Sequence, residues 1–563
     1  MSSQRYLWQY PDPVPISVKR ALDIFSSVTQ SVLFQRGIKS IEDAHDFLLP
    51  KAPEWATSTN LLDSFKAAQL ILETIDKNEI IAVYGDYDAD GITSTALVTL
   101  ALRKIGASVI PYIPSRQEEG YGLNIPAIKS LFNQSVTLLI TVDNGIRSYD
   151  EVAYANSLNM QVIITDHHTP GDVSPPAAAI LNPKQSNDPY PNKGLAGVGV
   201  AYKLICSLSE FKPEIIPDDF LDLVAIGTVA DIVPLVGENR YLVRQGLARL
   251  NFNQRQSILS LLGASGNFNK VINSSDISFQ IAPRLNSSGR LDTESAMTPL
   301  NLLLSSEIDK CSEYAQILEN HNYKRRTLSK ELEIKVENII DEQLLEFKVL
   351  MAVAGDVPIG LAGIAAGYLV KKYNRPSIVG NFGIDETIAS CRSVPNFNII
   401  QALDTCQDLL TQYGGHAMAA GFTIKNGNIP HFRTRLNKLA QAQLADNDRL
   451  PTLNIDAFVL ICDLDISLYK EIQKLEPTGE GNPAPIFSTR GLHAIKPKRV
   501  GKNSDHLKMT VSDGTHSIDA ICFGMGGILS NLPPLFDLAY RLTINEYLGP
   551  EVLQLQVIDI KPS

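Results

Sequence analysis

The sequence predicts an α/β protein in which a parallel-sheet domain is joined by a long helix to a smaller α/β domain, with a β-barrel of OB-fold type at the C-terminus. Three observations carry that expectation. From Glu79 onward, apolar runs alternate with helix-length segments (EIIAVYGD, STALVTLALRKIG, SVIPYIP, VTLLITVDN, MQVIITDHH, AAAILNP), the pattern of βα units feeding a sheet buried on both faces. Between about Ser305 and Glu346 there is no Gly or Pro, and apolar residues recur at helical spacing. Beyond about Pro451 the chain breaks into short alternating segments such as HLKMTVSD, SIDAICFG and LQLQVIDIK, which read as strands of a small barrel.

Taken in order, residues 1–75 read as a helical N-terminal region without visible chemistry, in stretches such as SIEDAHDFLLP and SFKAAQLILETIDKN. Residues 76–305 form the expected catalytic domain and 306–346 the connecting helix. Residues 347–445 (FKVLMAVAG, LAGIAAGYLVKKYN, PSIVGNFG) form the second α/β domain and 446–563 the barrel. A chain of 563 residues exceeds what one hydrophobic core serves, so several domains are required.

Composition narrows the function. With 44% hydrophobic and 20% charged residues the chain is an ordinary globular sequence. The six cysteines show neither a CxxC pair nor disulfide-framework spacing, which fits a reducing compartment. The N-terminal stretch lacks a signal-peptide apolar core, and no run approaches about 18 uninterrupted apolar residues, so the expected location is cytoplasmic with no membrane partner. A formal net charge of −11 argues against broad adhesion to nucleic acid and confines any such binding to a local basic groove or to bound cations.

Chemistry concentrates after the strands. In GDYDADG, Asp86, Asp88 and Asp90 alternate directly after IIAVY, and carboxylates crowded in this way repel unless cations are present. TVDNGI places Asp143 after a second apolar run, ITDHH places Asp166, His167 and His168 after a third, and VAIGTVADIVPL reads as an apolar helix with Asp231 within it, where an unpaired charge is costly. Open α/β sheets bind ligands beyond the carboxyl ends of their strands. Carboxylate and imidazole without thiolate favour hard ions, Mn²⁺ or Mg²⁺, and two such divalent ions sharing a carboxylate suit a phosphoester.

These strings, in this order, resemble the successive motifs of the DHH phosphoesterase superfamily. PSRQEEGYGLN, LAGVGVAYKL, APRLNSSGRLD, ASCRS, YGGHAMAAGF and LEPTGEGNPAPIF resemble its RecJ branch, over about residues 30–563. The resemblance implies a DHH domain, a DHH-associated domain and an OB-fold. It implies that Asp88, Asp90, Asp143, His167 and Asp231 hold two metal ions, with Asp143 bridging and Asp86 and His168 beside them as further catalytic candidates. It also implies a 5′–3′ exonuclease specific for single-stranded DNA, acting in recombination and repair, with a single-stranded-DNA-binding protein and recombination helicases as partners.

Further candidates follow from the same strings. Arg284, Asn286, Ser288 and Arg290 can offer guanidinium, amide and hydroxyl donors to phosphate, the alternative being a loop held by arginine–backbone bonds. Gly414 and Gly415 allow close backbone approach beside His416. Ser390 and Arg392 match positions that hold a terminal 5′ phosphate in RecJ-like enzymes. Arg116, Tyr121 and Asn124, as DNA contacts or as a plain surface loop, and Lys498 and Arg499 of the basic run KPKRVGK complete the set. Departures from the branch pattern are Cys391, the Ser287–Ser288 pair and Thr478. Two other readings share the metal site: a DHH phosphodiesterase for short oligonucleotides or cyclic dinucleotides, and an inactive DHH subunit of replication machinery. The first generally lacks the C-terminal barrel; the second usually loses metal ligands.

Overall fold

A computed structural model describes residues 5–115, 119–120, 122–266, 271–291, 296–341, 347–444, 450–545 and 552–563. The chain forms two compact units, one of Leu49–Arg325 with Glu476–Pro483, the other of Met1–Leu48, Arg326–Leu475 and Ala484–Ser563.

The first unit is built on five parallel strands, β1 (Ile80–Tyr84), β2 (Ser108–Tyr112), β3 (Val136–Val142), β4 (Gln161–Thr165) and β5 (Ala179–Leu181), in the order β2-β1-β3-β4-β5. Strand side chains alternate between two cores. Ile81, Val83, Leu138, Ile140 and Ile163 enter one, with helices α1 (Ala89–Lys104), α4 (Gly197–Ser209) and α5 (Leu221–Ala230). Ala82, Tyr84, Leu139, Val162 and Ile164 enter the other, with α2 (Ile125–Asn133) and α3 (Tyr149–Ser157). Because β1 lies between β2 and β3, the chain leaves it in one direction and returns on its other side. The crevice at that reversal, beyond the carboxyl ends of β1 and β3, is where such sheets bind ligands.

Helix α6 (Ile308–Ile340) gives residues to both units. The second unit carries a five-stranded mixed sheet of β6 (Leu350–Ala354), β7 (Ser377–Phe382), β8 (Glu386–Arg392), β9 (Leu410–His416) and β10 (Ala419–Lys425), in the order β9-β10-β8-β7-β6. One face is covered by helix α7 (Ile359–Tyr373). A barrel follows, of β11 (Phe487–Val500), β12 (His506–Ser512), β13 (Ser517–Cys522), β14 (Phe536–Ile544) and β15 (Leu553–Pro562). It closes by pairing β14 with β11, which removes the exposed edges of an open sheet.

The N-terminal region divides differently from the 1–75 block expected from periodicity. Val18, Leu22, Val28, Val32, Leu33, Ala44 and Leu48 share a core with Leu468, Phe487, Met509, Tyr540 and Ile560 of the barrel region. Strand Leu7–Gln9 pairs in parallel with Thr452–Asn454, and Trp8 Nε1 donates to Asp559 Oδ2 at 2.8 Å. Residues from Leu49 onward belong to the first unit. Periodicity reports an apolar face but not the segment, here more than 400 residues away, that covers it. Leu33 is fully buried in this core, so Leu33→Ala should destabilise the protein by about 2–5 kcal/mol. A denaturant midpoint unchanged from wild type would refute the association of the N-terminal helices with the barrel.

Candidate metal centre

Each carboxylate of the centre is placed by the turn that follows a strand or ends a helix. Asp86 follows β1, Asp143 directly follows β3 and Asp166 directly follows β4. Asp88 caps α1, its Oδ1 accepting the Asp90 and Gly91 amides at 3.0 Å each. Asp90, buried, accepts the Gly197 amide at 2.7 Å and the Val198 amide at 2.9 Å from the start of α4, where the helix dipole favours negative charge. Asp231 caps the C-terminal end of α5, which is buried from Leu221 to Val229, and so stands at the helix end and not within a helix as the apolar pattern suggested. Backbone crowding sets the fit: a Cβ on Gly197 would stand 2.6 Å from Asp143 Oδ1, and one on Gly227 2.8 Å from Asp90 Oδ1. Asp143 itself sits at φ 62°, a left-handed conformation that aspartate tolerates better than most residues.

Among the described residues, three sets of ligand atoms each lie within 4.8 Å of one another: Asp143, His167 and His168; Asp90, His167 and Asp231; and Asp86, Asp88 and Asp143. The sets share Asp143 and His167. His167 Nε2 is 3.1 Å from Asp143 Oδ1 and 3.6 Å from Asp231 Oδ2. Neither His167 Nε2 nor Asp143 Oδ1 has a hydrogen-bond partner among the described residues, although both atoms are buried. Buried polar atoms are rarely left so, and two that converge in this way fit ligands of a cation. The donor set, carboxylate and imidazole only, fits hard divalent ions.

The histidines are differentiated by their partners. The Leu195 backbone lies beside His167 and favours its protonated form, while Nε2 faces Asp143 and Asp231. Burial, then the neighbouring His168, push its pKa down to about 3, so it is neutral and competent as a ligand. His168 Nδ1 is 2.8 Å from Asp166 Oδ1, and despite burial this partner holds the imidazole above its ordinary pKa. Asp166 also accepts the amides of Ile146, His167 and His168; against the effect of burial, the His168 side chain first, then the His167 charge and the His168 amide, hold it below the usual carboxylate range. Burial and mutual repulsion raise the others: Asp90 to about 7, Asp231 to about 9 and Asp143 well above its ordinary value.

Several contributors carry no signal in the strand-end pattern. The Gly197 and Val198 amides and Gly227 are visible only in three dimensions. Asn182 donates to the His168 carbonyl, and its Oδ1 accepts the Lys184 amide. The Lys184 ammonium, its pKa lowered by burial, interacts with Asp231 and Asp166. LNPK at the end of the last apolar run was the available clue.

The other sequence candidates divide. Asn286 Oδ1 accepts the Ala89 amide at 2.6 Å, and a Cβ on Gly289 would lie 2.9 Å from the Tyr87 carbonyl, so the RLNSSGR loop rests on the DYDADG turn. Ser288 Oγ meets His321 Nδ1 at 3.1 Å, and Arg290 ends the short turn Ser288–Arg290. Arg284 departs from the expected phosphate contact: its buried guanidinium donates to Glu319 at 2.5 Å and to the Gln280 carbonyl at 2.6 Å, which holds the loop from behind. Asn124 departs likewise from a DNA contact. It caps α2 through the Ala127 amide and donates to Tyr84 Oη at 3.0 Å, because an asparagine before a proline-containing first turn is a favoured cap. Arg116 and Tyr121 lie outside the described residues.

In the second unit, register brings the remaining phosphate candidates together. Arg392, Ala419 and His416 form one cross-strand row, and Ser390, Gly421 and Gly414 another. Gly415 has φ 141° and pairs with Ala420 in the row of Cys391. Cys391 is fully buried in the core on the opposite face, its thiol pushed up to about 12 by burial, so this departure from the branch pattern does not alter the face bearing Ser390 and Arg392. On the barrel, Lys498 pairs with Lys508, and Arg499 Nε donates to the Gly526 carbonyl. Arg499 lines a cavity of about 670 Å³ with Lys330, Asn503, Asp505 and His506.

Comparison with known proteins agrees with this architecture. Residues 80–228 match the family model described as DHH family, N-terminal domain, residues 346–443 the DHHA1 domain and residues 455–559 the RecJ OB domain. The fold is thus that of the DHH class, and all the centre's residues but Asp231 lie within the matched DHH domain. The single-stranded-DNA-specific exonuclease RecJ of Bacillus subtilis is 36% identical, over 99% of this chain and 71% of that protein. The protein of the same name from Haemophilus influenzae is 33% identical, over 97% and 98%. The crystal structure of RecJ in complex with Mn²⁺ from Thermus thermophilus superposes with a TM-score of 0.83 at 28% identity, covering 99% of this chain and 80% of that one. The chain belongs to the RecJ family.

A pH dependence follows from the raised carboxyls. In the metal-free fold Asp90 and Asp231 hold protons that the unfolded chain releases above about pH 4, so their contribution to stability falls as pH rises and is lost past about 7 and about 9 respectively. Cations bound at these carboxylates would replace those protons. The rise in melting temperature produced by Mn²⁺ should therefore be larger near about pH 9 than near about pH 6, with proton release on binding measured by calorimetry in two buffers. A Mn²⁺ shift that does not grow with pH would count against the centre.

Proposed function

We propose that the chain is a metal-dependent exonuclease that degrades single-stranded DNA from the 5′ end. The observation that carries this reading is the convergence of Asp143 Oδ1 and His167 Nε2, buried and without hydrogen-bond partners among the described residues, where three ligand sets overlap at the crevice of the sheet. Asp88, Asp90, Asp143, His167 and Asp231 would hold two Mn²⁺ or Mg²⁺ ions, with Asp143 shared. Such ions supply an activated water and positive charge for in-line displacement at phosphorus.

The chain's own groups do the rest. Asp166 fixes Nδ1 of His168 and keeps that imidazole more readily protonated, so Nε2 is the nitrogen that would meet a scissile phosphate oxygen. Asp86 belongs to one ligand set with Asp88 and Asp143 and would orient the attacking water. Asn286 and Gly289 hold the DYDADG turn from the phosphate-side loop. Arg392, Ser390 and His416, with the backbone at Gly414 and Gly415, would bind the terminal 5′ phosphate and so set polarity. The barrel cavity with Lys330 and Arg499 would track the strand.

The closed barrel supports a long single-stranded substrate over short oligonucleotides or cyclic dinucleotides. A full set of ligands supports activity over a purely structural subunit. Among the described residues no helix is long and apolar enough to cross a membrane, and a DNA substrate supports a cytoplasmic location. A single-stranded-DNA-binding protein and recombination helicases are the partners such an activity calls for.

Digestion of 5′-labelled and 3′-labelled single strands, with and without Mn²⁺, tests the whole reading. Early release of the 5′ label only when metal is present is expected; release from the 3′ end would refute the polarity. Asp143→Ala should abolish hydrolysis while leaving the circular dichroism spectrum intact, and turnover above about a tenth of wild type would exclude a bridging role. Arg392→Ala should slow degradation of 5′-phosphorylated strands about ten- to a hundredfold, the loss expected for one charge-assisted contact, and largely erase the preference over 5′-hydroxyl strands.

A further inference from the structure

Arg392 ends β8 with its side chain on the sheet face that α7 covers. A Cβ placed on Gly363 of α7 would stand 2.9 Å from Arg392 Nη2, 3.4 Å from Cζ and 3.5 Å from Nη1. Its three nearest heavy atoms thus all belong to this one guanidinium. One turn later, a Cβ on Gly367 would meet only Arg392 Cγ, at 4.0 Å. The arginine therefore runs along the helix, with its stem on Gly367 and its head on Gly363. Nη1 is tied to the Cys391 carbonyl at 2.8 Å.

Neither glycine is explained by the fold. Both are only partly buried, while Ala362, Ala365 and Ala366 of the same helix fill the core. Gly363 and Gly367 are not among the positive-φ glycines, so an L-residue could adopt their backbone. Inside a helix, glycine is less favourable than alanine. The feature that glycine preserves at 363 is room for the Arg392 head.

We propose that Gly363 is a positioning residue for Arg392, and through it a determinant of the preference for 5′-phosphorylated ends. The inference rests on the reading of Arg392 given under Proposed function. A methyl at 363 would displace the flexible end of an arginine rather than backbone, so the helix would persist while the guanidinium moved. Bidentate phosphate contacts are lost on such movements, because their fork geometry is fixed.

The test compares wild type, Gly363→Ala, Arg392→Ala and the double variant by melting temperature and by initial rates on 5′-phosphorylated and 5′-hydroxyl strands. Gly363→Ala should melt at or above the wild-type temperature and keep its 5′-hydroxyl rate within about twofold. Its 5′-phosphate preference should drop by about tenfold, mainly through a higher KM. In the double variant, the loss should not exceed that of Arg392→Ala alone, as expected for two residues acting through one contact. A Gly363→Ala enzyme that retains the preference while Arg392→Ala loses it overturns the inference and leaves the Arg392 reading standing. A wild type without preference, or an Arg392→Ala enzyme that keeps it, removes both. Should Gly363→Ala unfold the protein, the double variant must restore folding by removing the obstructing head; failure to do so also overturns the proposal.

Discussion

Carboxylates crowded into a low-dielectric crevice repel one another, and most of the first unit can be understood as the means by which that repulsion is contained. Asp88 is satisfied by the first turn of α1, Asp90 by the first turn of α4, and Asp166 by three amides and a histidine. Helix starts and loop amides carry partial positive charge without occupying the space a lysine would need. What remains uncompensated among the described residues, Asp143 Oδ1 and His167 Nε2 at the centre, fits the ligands of a cation. A metal-free fold must hold extra protons there, so occupancy and stability are linked.

The second unit solves the opposite problem. Around Ser390, Arg392 and His416 the chain places Ala419, Gly414 and Gly421 in register and Gly363 and Gly367 on the facing helix. Small residues leave space beside few donors, so recognition of a phosphate there, as proposed, would depend on what is kept out. The metal centre concentrates charge, whereas this face concentrates absence of bulk.

How much could be read in advance follows from range. The apolar runs, and the acids that end them, are local features, so Asp86, Asp143 and Asp166 fall where the pattern puts them, at the crevice of a sheet whose strand order no local signal reveals. Resemblance to the family extended this to Asp88, Asp90, His167 and Asp231; the fold brings Asp90, His167 and Asp231 within 4.8 Å of one another and Asp88 equally close to Asp86 and Asp143. Partnerships between distant segments were not legible. Arg284 looked like a phosphate ligand because its string is rich in donors, yet Glu319 lies one helix away and takes its guanidinium. Asn124 looked like a surface contact and proved to be a cap. Lys184, Gly197 and Gly363 gain meaning only from neighbours that no periodicity encodes, and the first 48 residues show apolar faces without naming the barrel as their cover.

The short segment Glu476–Pro483 gives the molecule an unusual thread. It lies between stretches of the second unit but packs in the first: buried Arg240 donates to the Pro477 and Glu476 carbonyls, and Leu235, four residues past Asp231, donates its amide to Glu480. Ser274 bonds Glu476 and the Thr478 carbonyl, so Thr478, a departure from the branch pattern, sits in this strap. The backbone therefore passes between the units four times, at Leu48, Arg325, Leu475 and Pro483. Deleting the barrel by a stop codon ahead of residue 451 would also strip acceptors from a buried guanidinium and a support from the loop that carries Asp231. The catalytic half is not a contiguous piece of chain, and it could be isolated only by a design that keeps those eight residues in place or splices them back.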